Sequence, residues 1–552
     1  AATAALVWIS TWEQRLLDAI AGRLPERAHG FVRDRILARL DAFDRLQLAI
    51  TLPMVALWIA LSLVEARWPG LPGAFAAVVL SVLTLEIYGF VRYWARDFRV
   101  LAYLLLLAAV GVCNVVRFGS SPTVPALVAD GAIEPALPST ALPHNPTLLR
   151  DVDVLLRWRA SCEKPRLLVI ATSGGGIRAA AWTAHVLRAL EEDPALAGIG
   201  RHVRLVTGAS GGMVGAAAWV TTMVEPAIAR TCSDALCLHG GHDVFSEVAA
   251  DSLDAVAAHF ALWLEGDRGT ALERAWIRND AALARPLMDL AAGERDGWLP
   301  SLVFSPMIVE NGRRVLIANL DLRALTSTND PWPDLATAMG PSDALPAFEL
   351  FALYPDATRF TVATAARLSA SFPYVSPFPR LPIAGAPMHL TDAGIYDNYG
   401  VDVASRWIAA NAQWLMTNTE GVALVQIRDE VSTRSTFAVD EPDLTTRATY
   451  PLSGPFAAFF AARESTSAFR NDHAVDVLRS RFTAAKHDGF FQSFAFELTG
   501  EVSLSWRLSD AERETIRASL PAATHDCALA EPREDCSANL RELARLRTWW
   551  SE

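Results

Sequence analysis

Three apolar runs crowd the first 120 residues: Leu46 to Val64, Leu71 to Val91 with one acid at Glu86, and Val100 to Val116. Each has the length of a bilayer-crossing helix, and arginine adjoins each one. The pattern predicts a transmembrane region over 46–117, with helices at 46–64, 71–91 and 100–116. Before it, residues 1–45 place Leu16, Leu17, Ile20, Leu24, Phe31, Ile36, Leu37 and Leu40 at helical spacing. Two readings stay open there: amphipathic helices on the inner membrane surface, or a helical hairpin packed on the protein. The opening AATAALVWIS, without an initiator methionine, is open to being the tail of an earlier apolar segment. After a Pro-, Ala- and Ser-rich stretch at 118–145, read as a spacer, the pattern changes. Short strand-like runs (Leu167 to Ala171, Val203 to Val206, Val315 to Ala318, Val422 to Ile427) alternate with helical stretches. That alternation predicts an α/β sandwich with a mostly parallel sheet over 146–552, with a helical insertion near 225–300.

Charge sharpens this picture. Residues 11–45 carry seven arginines, the 92–99 loop carries three, and none appears between Arg117 and Arg150. The bias puts the N-terminus inside and the following domain outside, as in an integral protein of a bacterial inner membrane with a periplasmic enzyme domain. With 552 residues, 52% apolar and a formal charge of −12, the chain is unsuited to nucleic acid and has little electrostatic pull towards anionic lipid.

Two glycine-rich turns carry the candidate chemistry. Gly208, Ala209, Ser210, Gly211 and Gly212 give G-x-S-x-G between the strand-like Val203 to Val206 and a helix-compatible run from Met213. A serine on such a turn projects above the strand ends. About 35 residues earlier, Ser173, Gly174, Gly175, Gly176, Ile177 and Arg178 follow another strand. Successive amides without side chains suit an oxyanion hole, whereas the lysine and spacing of a phosphate loop are missing. Arg178 is open to meeting a lipid phosphate or to capping a surface. Serine needs a base, and Asp392 at the strand tip of MHLTDAGIYD is the best placed, with an Asx-type turn residue as its structural alternative. Asp397 and Asn398 are read as organising that loop.

These residues resemble the patatin-like phospholipase family, whose pattern is a glycine-rich oxyanion loop, G-x-S-x-G and a later D-G-G or D-G-A; ARLSASFPYVSP (366–377) also resembles the segment before its aspartate. The resemblance spans roughly residues 145 to 430. It implies a patatin-like α/β/α sandwich and a Ser-Asp dyad, with Ser210 as nucleophile, Asp392 as base, and Gly174, Gly175 and Gly176 as oxyanion donors. It also implies the substrate class, acyl esters of membrane phospholipids or lysophospholipids, with no cofactor and no metal. Two departures stand out: Ser173 replaces the usual acid opening the glycine loop, and Ala393 replaces the middle glycine of D-G-G.

Other readings remain beside it. A Ser-His-Asp triad would draw on His473, His487 or His525, which follow Asp392 in chain order. A neutral-lipid esterase, an acyltransferase, or a catalytically silent lipid-binding module would use the same residues. Phe260, Leu262, Trp263, Leu264 and the 451–463 segment are candidates for acyl-chain contact. Cys232 with Cys237 and Cys527 with Cys536 read as short-loop disulfides, while Cys232, Cys237, His239 and His242 offer a rival zinc set.

Overall fold

The structure, a computed structural model, describes residues 42–67, 73–94, 124–127, 134–136, 144–163, 165–232, 234–261, 267–326, 345–373, 375–385, 388–431, 444–521 and 536–552. The chain divides into two compact units, one of residues 1–120 with 254–268 and one of the remainder.

In the first unit the apolar runs fold as helices α1 (Ala42–Arg67) and α2 (Gly73–Trp94). The third expected span, the 1–41 segment and Cys113 lie outside the described residues. The transmembrane expectation is not supported: among the described residues, no helix is long and apolar enough to cross a membrane. Polar and helix-breaking positions interrupt both runs, Thr51, Pro53 and Ser62 in α1 and Ser81, Thr84 and Glu86 in α2. On α2, Ala76, Val79 and Leu83 are buried, a one-face stripe at helical spacing. Trp58, Leu61 and Leu80 pack around Ala76 and Ala258. The opposite faces leave Leu57, Leu63, Val78 and Leu85 exposed.

The second unit is built on a five-stranded sheet, order β10-β9-β1-β2-β3, parallel throughout. Its strands are β1 (Arg166–Thr172), β2 (Val203–Gly208), β3 (Ser301–Phe304), β9 (Gly421–Arg428) and β10 (Phe491–Glu497). β1, β2 and β9 are buried at every position, as strands covered on both faces must be. Leu167, Val169, Ala171, Leu205, Val422 and Leu424 face a core completed by Trp158, Trp407 and Phe482. Side chains at alternate positions point the other way, towards helices α3 (Gly176–Glu192) and α4 (Ser210–Thr222). All thirteen residues of α4 are buried, so a helix apolar on every side is packed on every side. Gly215 permits the contact between the two helices, since a Cβ there would collide with the Ala180 carbonyl oxygen.

A second sheet, order β6-β5-β4-β8-β7, contains β4 (Met307–Ile308), β5 (Arg314–Leu316), β6 (Ala347–Glu349), β7 (Arg380–Leu381) and β8 (Met388–Thr391). β8 ends one residue before Asp392. The described residues of the expected spacer belong to this unit: Val124 donates to the Arg380 carbonyl, and Ala136 bridges Ala384. The described residues between 226 and 295 fold into short helical pieces; residues 262–266, with Leu262, Trp263 and Leu264, lie outside the described residues.

Candidate active site

Ser210 opens α4 immediately beyond β2 with φ +48°, and among the described residues no other non-glycine has φ in the left-handed region. That conformation costs about 1–3 kcal/mol and persists only where surroundings enforce it. Here they are glycines pressed against backbone. A Cβ on Gly208 would strike Thr172, one on Gly211 the Gly176 carbonyl, and one on Gly212 the Ser173 carbonyl. Gly400, with φ +69°, presses from the other side, where its Cβ would stand 2.5 Å from Gly208 Cα. The serine turn and the glycine loop are thus one packed body. Ser210 is 7% exposed.

The glycine loop runs from the end of β1 into α3. Gly174 donates its amide to the Asn398 carbonyl at 2.8 Å. The amides of Gly175 and Gly176 have no acceptor among the described residues, and that of Gly211 lies in the first turn of α4, where an amide has no intrahelical partner. A Cβ on Gly174 would stand 3.3 Å from Ser210 Cβ, so its close approach to the serine requires glycine.

Arg178 serves the loop. All three of its guanidinium nitrogens donate within the protein, to Asp429 at 2.9 and 3.0 Å, to Glu430 at 2.6 Å and to the Val502 carbonyl at 3.0 Å. Arg178 thus ties the start of the helix after the glycine loop to Asp429, Glu430 and Val502. Asp429, at the end of β9, also accepts from Ser173 Oγ at 2.8 Å, and Ser173 Oγ accepts from the Asp429 amide at 2.7 Å. Burial pushes the Asp429 carboxyl up to about 6, against the opposing charge of Arg178. Ser173 and Asp429 thus meet across 256 positions, a partnership that no local motif announces.

Asp392 is 2% exposed. Its Oδ1 accepts from the Gly394 amide at 2.7 Å, and its own amide donates to the Ser371 carbonyl at 3.0 Å. The 366–377 segment, helical up to Ser369, therefore fixes the aspartate from behind. Ala393 lies in a 3-10 turn without positive φ, so alanine in place of glycine strains nothing there. Asn398 joins the halves: its Oδ1 would lie 2.6 Å from a Cβ on Gly394, and it also faces Gly174. Asn398 thus lies against both the glycine loop, at Gly174, and the aspartate turn, at Gly394.

Further support comes from distant residues. Asp397, 2% exposed, accepts from Asn471 Nδ2 at 2.8 Å and from the amides of Tyr399 and Asp402 at 3.1 and 3.0 Å. Asp402 pairs with Arg314 at 2.5 Å and Arg406 at 2.9 Å; although burial opposes it, these guanidinium charges hold the Asp402 carboxyl well below the usual range. Arg314 also lies over the Tyr396 ring, 4.3 Å from its centroid. Sequence reading found Asp397 and Asn398 but missed Asp402, Arg314 and Asn471.

The histidine alternatives fare differently. His473 and His487 are exposed, whereas Ser210 and Asp392 are buried, and His525 lies outside the described residues. Cavities of about 440 and 740 Å³ occur in this unit, but neither is lined by Ser210 or Asp392. Over the glycine loop sits the segment around Ser505, whose carbonyl accepts from the Ile177 amide at 3.0 Å. Leu504, 63% exposed, would be 3.8 Å from a Cβ on Gly176.

A scan against protein-family models and a search of curated proteins both return no match. Among solved structures the chain is similar to VipD from Legionella pneumophila, at 11% identity and a TM-score of 0.25, over 65% of this chain and 65% of that one. The chain thus spans about two thirds of the length of that structure, and a score this low carries no argument for fold or function.

Proposed function

We propose that this protein is a serine acyl hydrolase of phospholipid or lysophospholipid esters, with Ser210 as nucleophile and Asp392 as its base. The observation that carries the reading is the strained φ of Ser210 at a strand-to-helix turn, beside backbone amides without acceptors. Strain at such a turn is the signature of a nucleophile presented to substrate. In the proposed reaction, Asp392 takes the hydroxyl proton as Ser210 Oγ attacks the ester carbonyl. Gly175, Gly176 and Gly211 amides then stabilise the oxyanion, the alcohol leaves protonated, and water releases the fatty acid by the same path reversed. Arg178 and Asp429 hold the loop in place.

A lipid substrate is supported by apolar surface beside the chemistry, with Leu504 exposed over the glycine loop, and by Leu57, Leu63, Val78 and Leu85 exposed on the helical unit. Contact with a bilayer would give each of these a use. The Cys232–Cys237 disulfide supports an oxidising compartment such as the periplasm. The test is fatty-acid release from phosphatidylcholine and lysophosphatidylcholine vesicles: the full chain should release it and Ser210→Ala should not. Equal release by both proteins would end the proposal.

A further inference from the structure

The rival zinc set in the sequence does not assemble. Cys232 and Cys237 form a disulfide, and His239, 3% exposed, is held between Thr222 Oγ1 at 2.9 Å and Glu191 Oε2 at 3.0 Å. His242 is left over, and it has gathered different neighbours. Its Nδ1 lies 3.1 Å from both carboxylate oxygens of Glu247 and 3.9 Å from Asp280 Oδ1. One donor atom from each of the three residues falls within 4.8 Å of the others.

A histidine beside two carboxylates is common without an ion, so the decisive residue is Asp280. Its side chain is 1% exposed. Oδ1 caps the 3-10 turn Ala281–Ala284 by accepting from the Ala282 amide at 2.9 Å, whereas Oδ2 is buried with no hydrogen-bond partner among the described residues. An ionisable oxygen placed that way costs free energy unless something positive meets it. Among the described residues no arginine or lysine pairs with it, and the ionisable side chain of opposite type within 4 Å is His242.

We propose that His242, Glu247 and Asp280 form a binding site for one divalent cation of the zinc class. Zinc bonds of about 2.0–2.1 Å at tetrahedral angles put donor atoms about 3.3–3.4 Å apart, and the observed 3.1 and 3.9 Å bracket that spacing. An imidazole nitrogen with two carboxylates favours zinc over calcium or magnesium, which prefer all-oxygen sites. Two negative carboxylates and a neutral imidazole match a dication, and water would fill the fourth position. His242 and Glu247 are 37% and 24% exposed, giving the ion a route from solvent to the buried Asp280.

The site's place in the fold assigns it a structural role. Glu247 lies on the short helix Val244–Val248, with His242 just before it. The turn capped by Asp280 leads to Arg285, whose Nη1 donates to the Thr221 carbonyl at 3.1 Å, near the end of the nucleophile helix, and whose carbonyl accepts from Val362 at 3.0 Å. An ion there would fasten two segments of the helical insertion beside α4.

The test is titration of the chelator-treated full chain with Zn2+, by calorimetry and by thermal melting, against His242→Gln and Asp280→Asn. Asparagine keeps the capping oxygen while removing the charge, so that variant should fold. The proposal expects saturable binding of a single ion, weakened more than about 10-fold in both variants, and a Zn2+-dependent rise in melting temperature seen only in the parent. No saturable binding by the folded parent, or binding unchanged in both variants, would overturn it.

Discussion

Ser210 and Asp392 stand on turns built by opposite means. Around Ser210 the structure depends on missing side chains, with Gly208, Gly211 and Gly212 set against backbone so closely that a single methyl group has no room. Around Asp392 it depends on present ones, with Asp397, Asn398, Asp402, Arg314 and Asn471 tying the turn to three other parts of the chain. The first construction is rigid because packing leaves no alternative. The second is rigid because buried polar groups are costly to separate. A damaged packed turn should therefore fail as a fold, while a damaged polar turn should fail first as a site.

The contrast gives an order of effects. Asp392→Asn removes the proposed base and nothing from the packing; ester turnover should fall by about 10³–10⁴-fold with the melting temperature nearly unchanged, as steady-state kinetics and calorimetry on one preparation would show. A large loss of stability would instead make Asp392 a turn residue. Gly211→Ala should do the reverse, costing more than about 3 kcal/mol in denaturant unfolding through its collision with the Gly176 carbonyl. Arg314→Met lies between: it removes one of the two guanidinium partners of the buried Asp402, Arg406 remaining, and should cost about 1.5–3 kcal/mol.

Two smaller effects concern pH. With Asp429 pushed up to about 6 by burial, its carboxylate is charged above that pH and the latch to Arg178 is fully made. Activity should therefore fall as pH drops through about 6, and Asp429→Asn should erase that step in a pH–rate profile. Glu294, buried and bonded to Ser301 and Asn319, is pushed up by burial from 4.5 to about 7. A carboxyl raised in the folded state contributes its stability fully below about 4.5 and loses it as pH rises through about 7. Glu294→Gln should flatten that fall, so that at pH 8 urea unfolding finds the variant more stable by roughly 2 kcal/mol; no difference between pH 5 and 8 would contradict the assignment.

The same contrast explains what was legible in the sequence. Glycine packing leaves a local signature: G-x-S-x-G and the tri-glycine run announced both turns, and the apolar runs before them gave β1 and β2 nearly to the residue. Polar support leaves none, because Asp402 meets Arg314 across 88 positions and Asp429 meets Ser173 across 256. The short β10, FQSFAFE, alternates buried and partly exposed residues and went unread between helices. Cys232 and Cys237 were close enough in sequence to pair on sight, but the same closeness suggested a zinc set that lacks Glu247 and Asp280. Hydropathy misjudged α1 and α2, where a buried stripe and polar interruptions matter more than the total.

The central claim is that Ser210 is an activated nucleophile whose base is Asp392. Its most direct test is fluorophosphonate labelling of the purified full chain beside Ser210→Ala, Asp392→Asn and His473→Ala, with circular dichroism to confirm that each is folded. The account predicts labelling that vanishes in Ser210→Ala, falls sharply in Asp392→Asn and is unchanged in His473→Ala. A folded parent that does not label, or labelling that survives Ser210→Ala, would contradict it.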